Sequence, residues 1–158
     1  KKIRTILNIL TLENMMVLDI KFTQNDNDIL SCLQLRRTVF IEEQQVPESE
    51  EVDGEDNDCD HVLANFNKVS VGAARLKYYD SFVKVQRLCV LKESRGYGIG
   101  SGILNFIIEH VTKHNIRHTI RLGSQLHALE FYNQLGFIEF GDKYLDAGIW
   151  HKDMEYFT

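Results

Sequence analysis

A run of alternating glycines, Arg95-Gly96-Tyr97-Gly98-Ile99-Gly100, separates a strand-like segment, Phe82 to Val90, from a helix-like one in which Ile103, Phe106, Ile107 and Val111 recur at i, i+3, i+4 and i+8. Nothing else in the chain restricts its fold so strongly. A strand that turns through glycines into an amphipathic helix and is followed by a further strand-like run, Thr119 to Leu122, reads as a βαβ unit. Glycines let a backbone approach a guest without Cβ interference, and amides at a helix start, backed by the helix dipole, form an anion site. A phosphate group is the natural guest, with Arg95 and Lys92 placed to neutralise it.

Two familiar phosphate loops fail on counting. A Walker A loop needs a Gly-Lys pair, and the chain has none. A dinucleotide GxGxxG would end at Ser101 when read from Gly96, and at Ile103 when read from Gly98. The pattern that remains is [Q/R]xxGx[G/A], met by Arg95, Gly98 and Gly100.

The other elements follow from period and punctuation. A strand is expected at 17–22, then a helix capped by Asp26 in which Ile29, Leu33, Val39 and Phe40 fall near helical spacing. Strands His61 to Phe66, Val69 to Lys77 and Phe82 to Val90 are separated by turn-like Asn67-Lys68 and Tyr79-Asp80-Ser81, which predicts an antiparallel meander. After Thr119 to Leu122 comes a helix from about Gln125 to Leu135, stopped by Gly136, and then strands Phe137 to Phe140 and Ile149 to Phe157. The expected fold is α+β, a mixed, mostly antiparallel sheet flanked by helices, with the βαβ unit at its centre.

At 158 residues the chain suits one domain, read as 16–158, with residues 1–15 as an N-terminal extension or leader because the first strand follows Met15 and Met16. Charge interrupts every apolar stretch well before the roughly 20 residues a membrane helix needs, so a soluble chain is expected. Cys32, Cys59 and Cys89 are odd in number and lack CxxC spacing, which argues against a disulfide framework or a zinc site and for a reducing, cytoplasmic setting. A pI near 5.7, with no basic stripe among aromatics, argues against nucleic acid.

Charge is distributed very unevenly. Between Glu42 and Asp60 stand ten acidic residues and no Lys or Arg, which leaves 13 acidic against 18 basic residues elsewhere. Such a segment is either a solvated acidic loop or a surface that draws a cationic ligand.

Beyond the loop, Phe131-Tyr132-Asn133-Gln134-Leu135-Gly136-Phe137 and the segments Leu35-Arg36, Val39-Phe40, Glu43-Gln44, Pro47, Glu51, Asp53 and His61 carry a resemblance to the GNAT acetyltransferases, and to their ElaA-like branch in particular. Tyr144-Leu145-Asp146-Ala147-Gly148-Ile149 with His151 and Met154 resembles that branch's final segment. The resemblance implies an enzyme that moves an acetyl group from acetyl-CoA to a primary amine, either a small cationic amine or a peptide or protein amino group, by direct attack in a ternary complex. It implies cofactor contacts from Leu88, Cys89, Val90 and Lys92 through Arg95, Gly96, Tyr97, Gly98, Ile99, Gly100 and Ser101. Acceptor contacts are expected from Arg36, Phe40, Glu43, Glu51, Asp53 and His127, and a homodimer is left open.

Tyr132 resembles the family's usual general acid, and the backbone amides of Leu88 to Val90 its oxyanion donors. Gln86 stands where many members carry a glutamate base, and an amide cannot take a proton near neutral pH. His61 is therefore the side-chain candidate for the base, while His127 and His151 are equally able to bind cofactor or acceptor or to fix the fold. Gln86 also leaves open an alternative, a CoA-binding sensor or interaction module with little turnover.

Overall fold

The computed structural model describes residues 17–158, so the expected extension at 1–15 lies outside the described residues. Strand β1 (Leu18–Phe22) leads into helix α1 (Asp26–Arg36), which widens into a π-helical stretch, Arg37–Glu43. The helix cap is Asn25 rather than the expected Asp26, because the Asn25 side chain accepts from the Asp28 amide and Asp26 falls inside the first turn. A short helix α2 (Glu48–Glu51) and a 3-10 turn (Asp56–Asp58) cross the acidic segment.

The meander follows as β2 (Asp60–Phe66), β3 (Val69–Tyr78) and β4 (Val83–Val90). The glycine loop then opens helix α3 (Ile99–Lys113), and β5 (Thr119–Gln125), α4 (Leu129–Gln134), β6 (Ile138–Asp146) and β7 (Ile149–Phe157) complete the chain. β5 runs three residues further than expected, and the helix after it is correspondingly shorter, with a 3-10 turn at Leu126–Ala128.

The seven strands form one sheet in the order β1-β2-β3-β4-β5-β7-β6. All neighbours are antiparallel except β4 and β5, which the α3 crossover joins in parallel. Period-2 alternation sends successive residues of β2 to opposite faces. Val62 and Ala64 pack with Ile99, Ile103, Leu104, Ile107 and Val111 of α3, whereas Leu63 packs with Cys32, Leu35 and Val39 of the first helix. Two helical layers thus cover the two faces. A Cβ at Gly102 would lie 3.0 Å from Ile20 Cδ1 and 3.2 Å from Leu18 Cδ2, so glycine there lets α3 sit close against β1. No helix of the described residues is long and apolar enough to cross a membrane.

Candidate active site

β4 and β5 are paired only through Val83–Ile120 and Lys84–Arg121. Past that point they diverge, and the cause lies in β4 itself. Arg87 adopts a left-handed φ of 54°, and the ladder to β3 slips so that Arg87 and Leu88 together face Ala74. This is a β-bulge, which adds a residue to one strand and bends it. The bend opens a cavity of ≈ 520 Å³ toward the C-terminal ends of the two parallel strands, where crevices of α/β sheets take ligands. The β5-facing backbone groups of residues 85–90 are left without a strand partner, so they face the cavity.

At one end the cavity meets the glycine loop. Gly98 caps α3 with a left-handed φ of 77°, and the first helical bond runs from the Gly102 amide to the Gly98 carbonyl. The amides of Ile99, Gly100 and Ser101 precede that bond and have no carbonyl to reach within the helix. A Cβ built at Gly96 or Gly98 meets nothing within 4 Å, so the loop presents open backbone. Arg95 lines the cavity, and its Nε donates to the Val90 carbonyl at 3.0 Å. These features suit an anionic group; of the residues expected to contact the cofactor, Leu88, Cys89, Val90 and Arg95 line the cavity, whereas Lys92 and Gly96 to Ser101 are not part of its lining. Lys92 is exposed on the 3-10 turn beside the glycine loop, and Tyr97 is exposed with its ring 6.0 Å from that of Phe66.

Gln86, Leu88, Cys89, Val90, Phe40, Glu51, His127 and Tyr132 also line the cavity. The Cys89 thiol is buried, and burial pushes it up to about 12, so it is a packing group rather than a nucleophile. Burial likewise pushes the Tyr132 hydroxyl up to about 12, which keeps it protonated across the physiological range. Its ring is held edge-on between Phe131 and Phe137, at 4.9 and 6.0 Å.

Other sequence-based assignments are redirected. His61 is 3% exposed on β2 and does not line this cavity; its Nε2 donates to the Asp56 carbonyl at 2.9 Å. A proton acceptor for the reaction cannot work from there. Gln86 lies opposite Arg75, and its Oε1 accepts from Arg75 Nε and Nη2 at 3.2 and 3.0 Å, so it braces an arginine. Arg36 is buried and donates to Glu51 and Asp56. Glu43 grips the Arg95 fork through both oxygens, at 2.7 and 2.8 Å, so an incoming phosphate competes with Glu43 for that arginine.

Part of the acidic segment is ion-paired, while Glu42, Glu50 and Asp58 are exposed. Arg75, 0% exposed, donates to Asp53 Oδ1 at 2.8 Å, Asp53 Oδ2 at 2.7 Å and Asp56 Oδ1 at 2.9 Å. Arg37 takes Glu48, Lys77 takes Glu55, and Arg87 Nη2 reaches the carbonyls of Glu50 and Glu51 as well as Asp53. Basic residues from α1, β3 and β4 therefore strap residues 48–58 over the sheet, and the carboxylates of Glu51 and Asp53 are occupied by arginines instead of being offered to an acceptor. The arginine forks of Arg75 hold Asp53 well below the usual carboxylate range. For Asp56, burial pushes upward but Arg36 and Arg75 outweigh it.

Both folded values thus lie below the roughly 3.9 of an unfolded aspartate, so their stabilisation is complete above that value and is lost as pH falls through the folded pKa. The melting temperature should hold from pH 7 to about 5 and drop below about pH 4. Asp53→Asn should be less stable at neutral pH and show a shallower acid drop; parallel curves for the two proteins would remove Asp53 from the cause.

Arg87, Tyr144, Gln125 and Asp146 line the cavity without having been given a role from sequence, and His151, read as able to bind cofactor or acceptor or to fix the fold, lines it too. Arg87 carried no local signal, since its bulge arises from pairing across strands. Tyr144 stood in the final motif, but spacing alone gave it no role.

Residues 21–157 match the family model described as "Acetyltransferase (GNAT) domain". The chain is 33% identical over 132 residues to "Uncharacterized N-acetyltransferase YjcF" of Bacillus subtilis, covering 83% of this chain and 94% of the relative. It is 32% identical over 133 residues to "Protein ElaA" of Escherichia coli, covering 81% and 86% of the two chains. The crystal structure of that ElaA superposes with a TM-score of 0.76 at 29% identity, over 89% of this chain and 99% of the other.

Proposed function

The chain belongs to the GNAT acetyltransferase family, and on that premise we propose that it transfers an acetyl group from acetyl-CoA to a primary amine, by direct attack while both substrates are bound. The observation that carries this reading is the cavity between the splayed strands β4 and β5, which is lined by Arg95 of the glycine loop, by Tyr132 and by a polar wall. Acetyl-CoA supplies an activated acetyl thioester; the rest falls to the protein.

The amides of Ile99, Gly100 and Ser101, with Arg95, would hold the pyrophosphate against the positive end of the α3 dipole. Unpaired backbone of β4 beyond the bulge would lie along the extended arm, and its N–H groups would stabilise charge on the carbonyl oxygen. Tyr132 would give its hydroxyl proton to the departing sulfur. The acceptor would enter past α2 and the β6–β7 end, a wall formed by Glu50, Glu51, Tyr144, Asp146 and His151.

Acetyl transfer is tested by incubating the protein with acetyl-CoA and a panel of amines, from small diamines to peptides with free amino groups, and following thiol release. No amine-dependent release across the panel would overturn the reading. Cofactor placement has its own test. CoA at 100 times its dissociation constant should stabilise the wild type by about 2.7 kcal/mol. Gly98→Asp sets a carboxylate where phosphate is held and should abolish that gain. The left-handed backbone makes the substitution cost about 1–2 kcal/mol, but the open space around Gly98 leaves packing undisturbed. A variant that kept the full CoA shift would place the phosphate elsewhere.

A further inference from the structure

With Gln86 bracing Arg75 and His61 outside the cavity, the removal of the proton from the acceptor nitrogen has yet to be assigned. We propose that His151, through Nε2, is that base; the assignment rests on the acetyl-transfer reading above.

His151 sits on β7 between Gln125 of β5 and Tyr144 of β6, its direct partners across the two ladders. Directly paired residues project from the same face, so the three form a row on the cavity wall. The His151 Nδ1 lies 2.8 Å from the Ile149 carbonyl. A carbonyl only accepts, so Nδ1 carries the proton, and in the neutral ring Nε2 keeps a bare lone pair. The ring plane is also set: it stacks on Tyr144 with centroids 5.8 Å apart and planes 21° apart. Tyr144 is itself fixed by donating to Asp153 Oδ1 at 2.8 Å. A Cβ at Gly123 would collide with the Tyr144 hydroxyl, so glycine on β5 is what lets that ring lie there. One ring nitrogen is thus pinned by backbone and the ring by an anchored neighbour. The other histidine of the cavity, His127, is exposed on the turn after β5.

The step balances. The amine nitrogen forms a bond to the thioester carbonyl carbon as the C–S bond breaks, the nitrogen's proton passes to His151 Nε2, and the sulfur takes the proton of the Tyr132 hydroxyl. Solvent then removes the imidazolium proton and restores the phenol.

The charged groups that line the cavity with His151 are Lys84 and Arg87 from β4, Arg95 from the glycine loop, Glu50 and Glu51 from α2 and Asp146 from β6, of which Glu51 is held by Arg36 and Arg87 and Arg95 by Glu43. Asp153 is held by the Tyr144 hydroxyl.

His151→Asn retains an amide to donate to the Ile149 carbonyl and removes the base. The expected loss in kcat is about 10²-fold or more, with the CoA-dependent thermal shift and the KM for acetyl-CoA unchanged. At pH below both ionisations, the slope of log kcat/KM against pH should fall from about 2 to about 1, because only the amine still has to lose a proton. His151→Ala should recover activity with added imidazole, which a purely structural histidine would not allow. Independently of turnover, nitrogen NMR of the apo protein should show His151 protonated at Nδ1 and bare at Nε2. A wild-type rate and slope in His151→Asn, or protonation at Nε2, overturns the base while leaving acetyl transfer in place. If the wild type acetylates no amine at all, both readings fall together.

Discussion

Arg75→Ala should lower stability by about 3–5 kcal/mol, the cost of removing one partner from a buried ion pair. For a domain of this size that amounts to roughly 6–20 °C in melting temperature. The guanidinium is 0% exposed and serves Asp53, Asp56 and Gln86 at once. Deleting it leaves two carboxylates that Arg36 and Arg87 reach only in part. Arg75→Lys should recover little, since an ammonium cannot present a planar fork to two carboxylates and an amide together. The same change should loosen residues 48–58, which supply Glu50 and Glu51 to the cavity wall, so proteolysis within that segment should quicken before global unfolding. A melting temperature within about 2 °C of the wild type would mean that the acidic strap is held by its other contacts.

Tyr132→Phe should lower kcat by about 10²-fold or more while CoA affinity stays nearly unchanged. The hydroxyl acts on the leaving sulfur, an interaction that exists only as the C–S bond breaks, so its loss falls on kcat rather than on binding. Phenylalanine preserves the edge-on contacts with Phe131 and Phe137, so the fold should hold. Burial raises the Tyr132 pKa to about 12, above the roughly 10 of a free phenol. The protonated form therefore persists as pH rises, and its contribution to stability, complete below the unfolded value of about 10, is lost as pH climbs from there through the folded value. Any alkaline loss of activity below about pH 10 should then survive in the Phe variant, since it originates in another group. An unchanged kcat in Tyr132→Phe, with acetyl transfer shown to limit the rate, would reduce the residue to packing.

Read along the chain, periodicity located all seven strands of the described residues and the single crossover of the βαβ unit, though it ended β6 at Phe140 where the strand runs on to Asp146, and the glycines marked the turn that opens α3. Those features are local. An α3 stripe of Ile103, Ile107 and Val111 repeats every turn, and Gly98 is needed at its own backbone angle whatever surrounds it. The acidic run was equally visible as composition, yet its meaning was not: Arg75 meets Asp53 across 22 positions and Arg87 meets it across 34. Which cation finds which carboxylate depends on the order of strands in the sheet. His61 failed as a base for the same reason, since a residue beside an acidic segment in sequence can face away from the cavity in space. The bulge at Arg87, the divergence of β4 from β5 and the row Gln125, His151, Tyr144 exist only once three separate strands are in register. The sequence by itself determined the elements, the loop and the family resemblance, because these depend on neighbours a few residues apart. The tertiary structure alone decided which polar groups are occupied and which are free to react, because hydrogen bonds and ion pairs are settled by distances of a few ångströms between residues far apart in the chain.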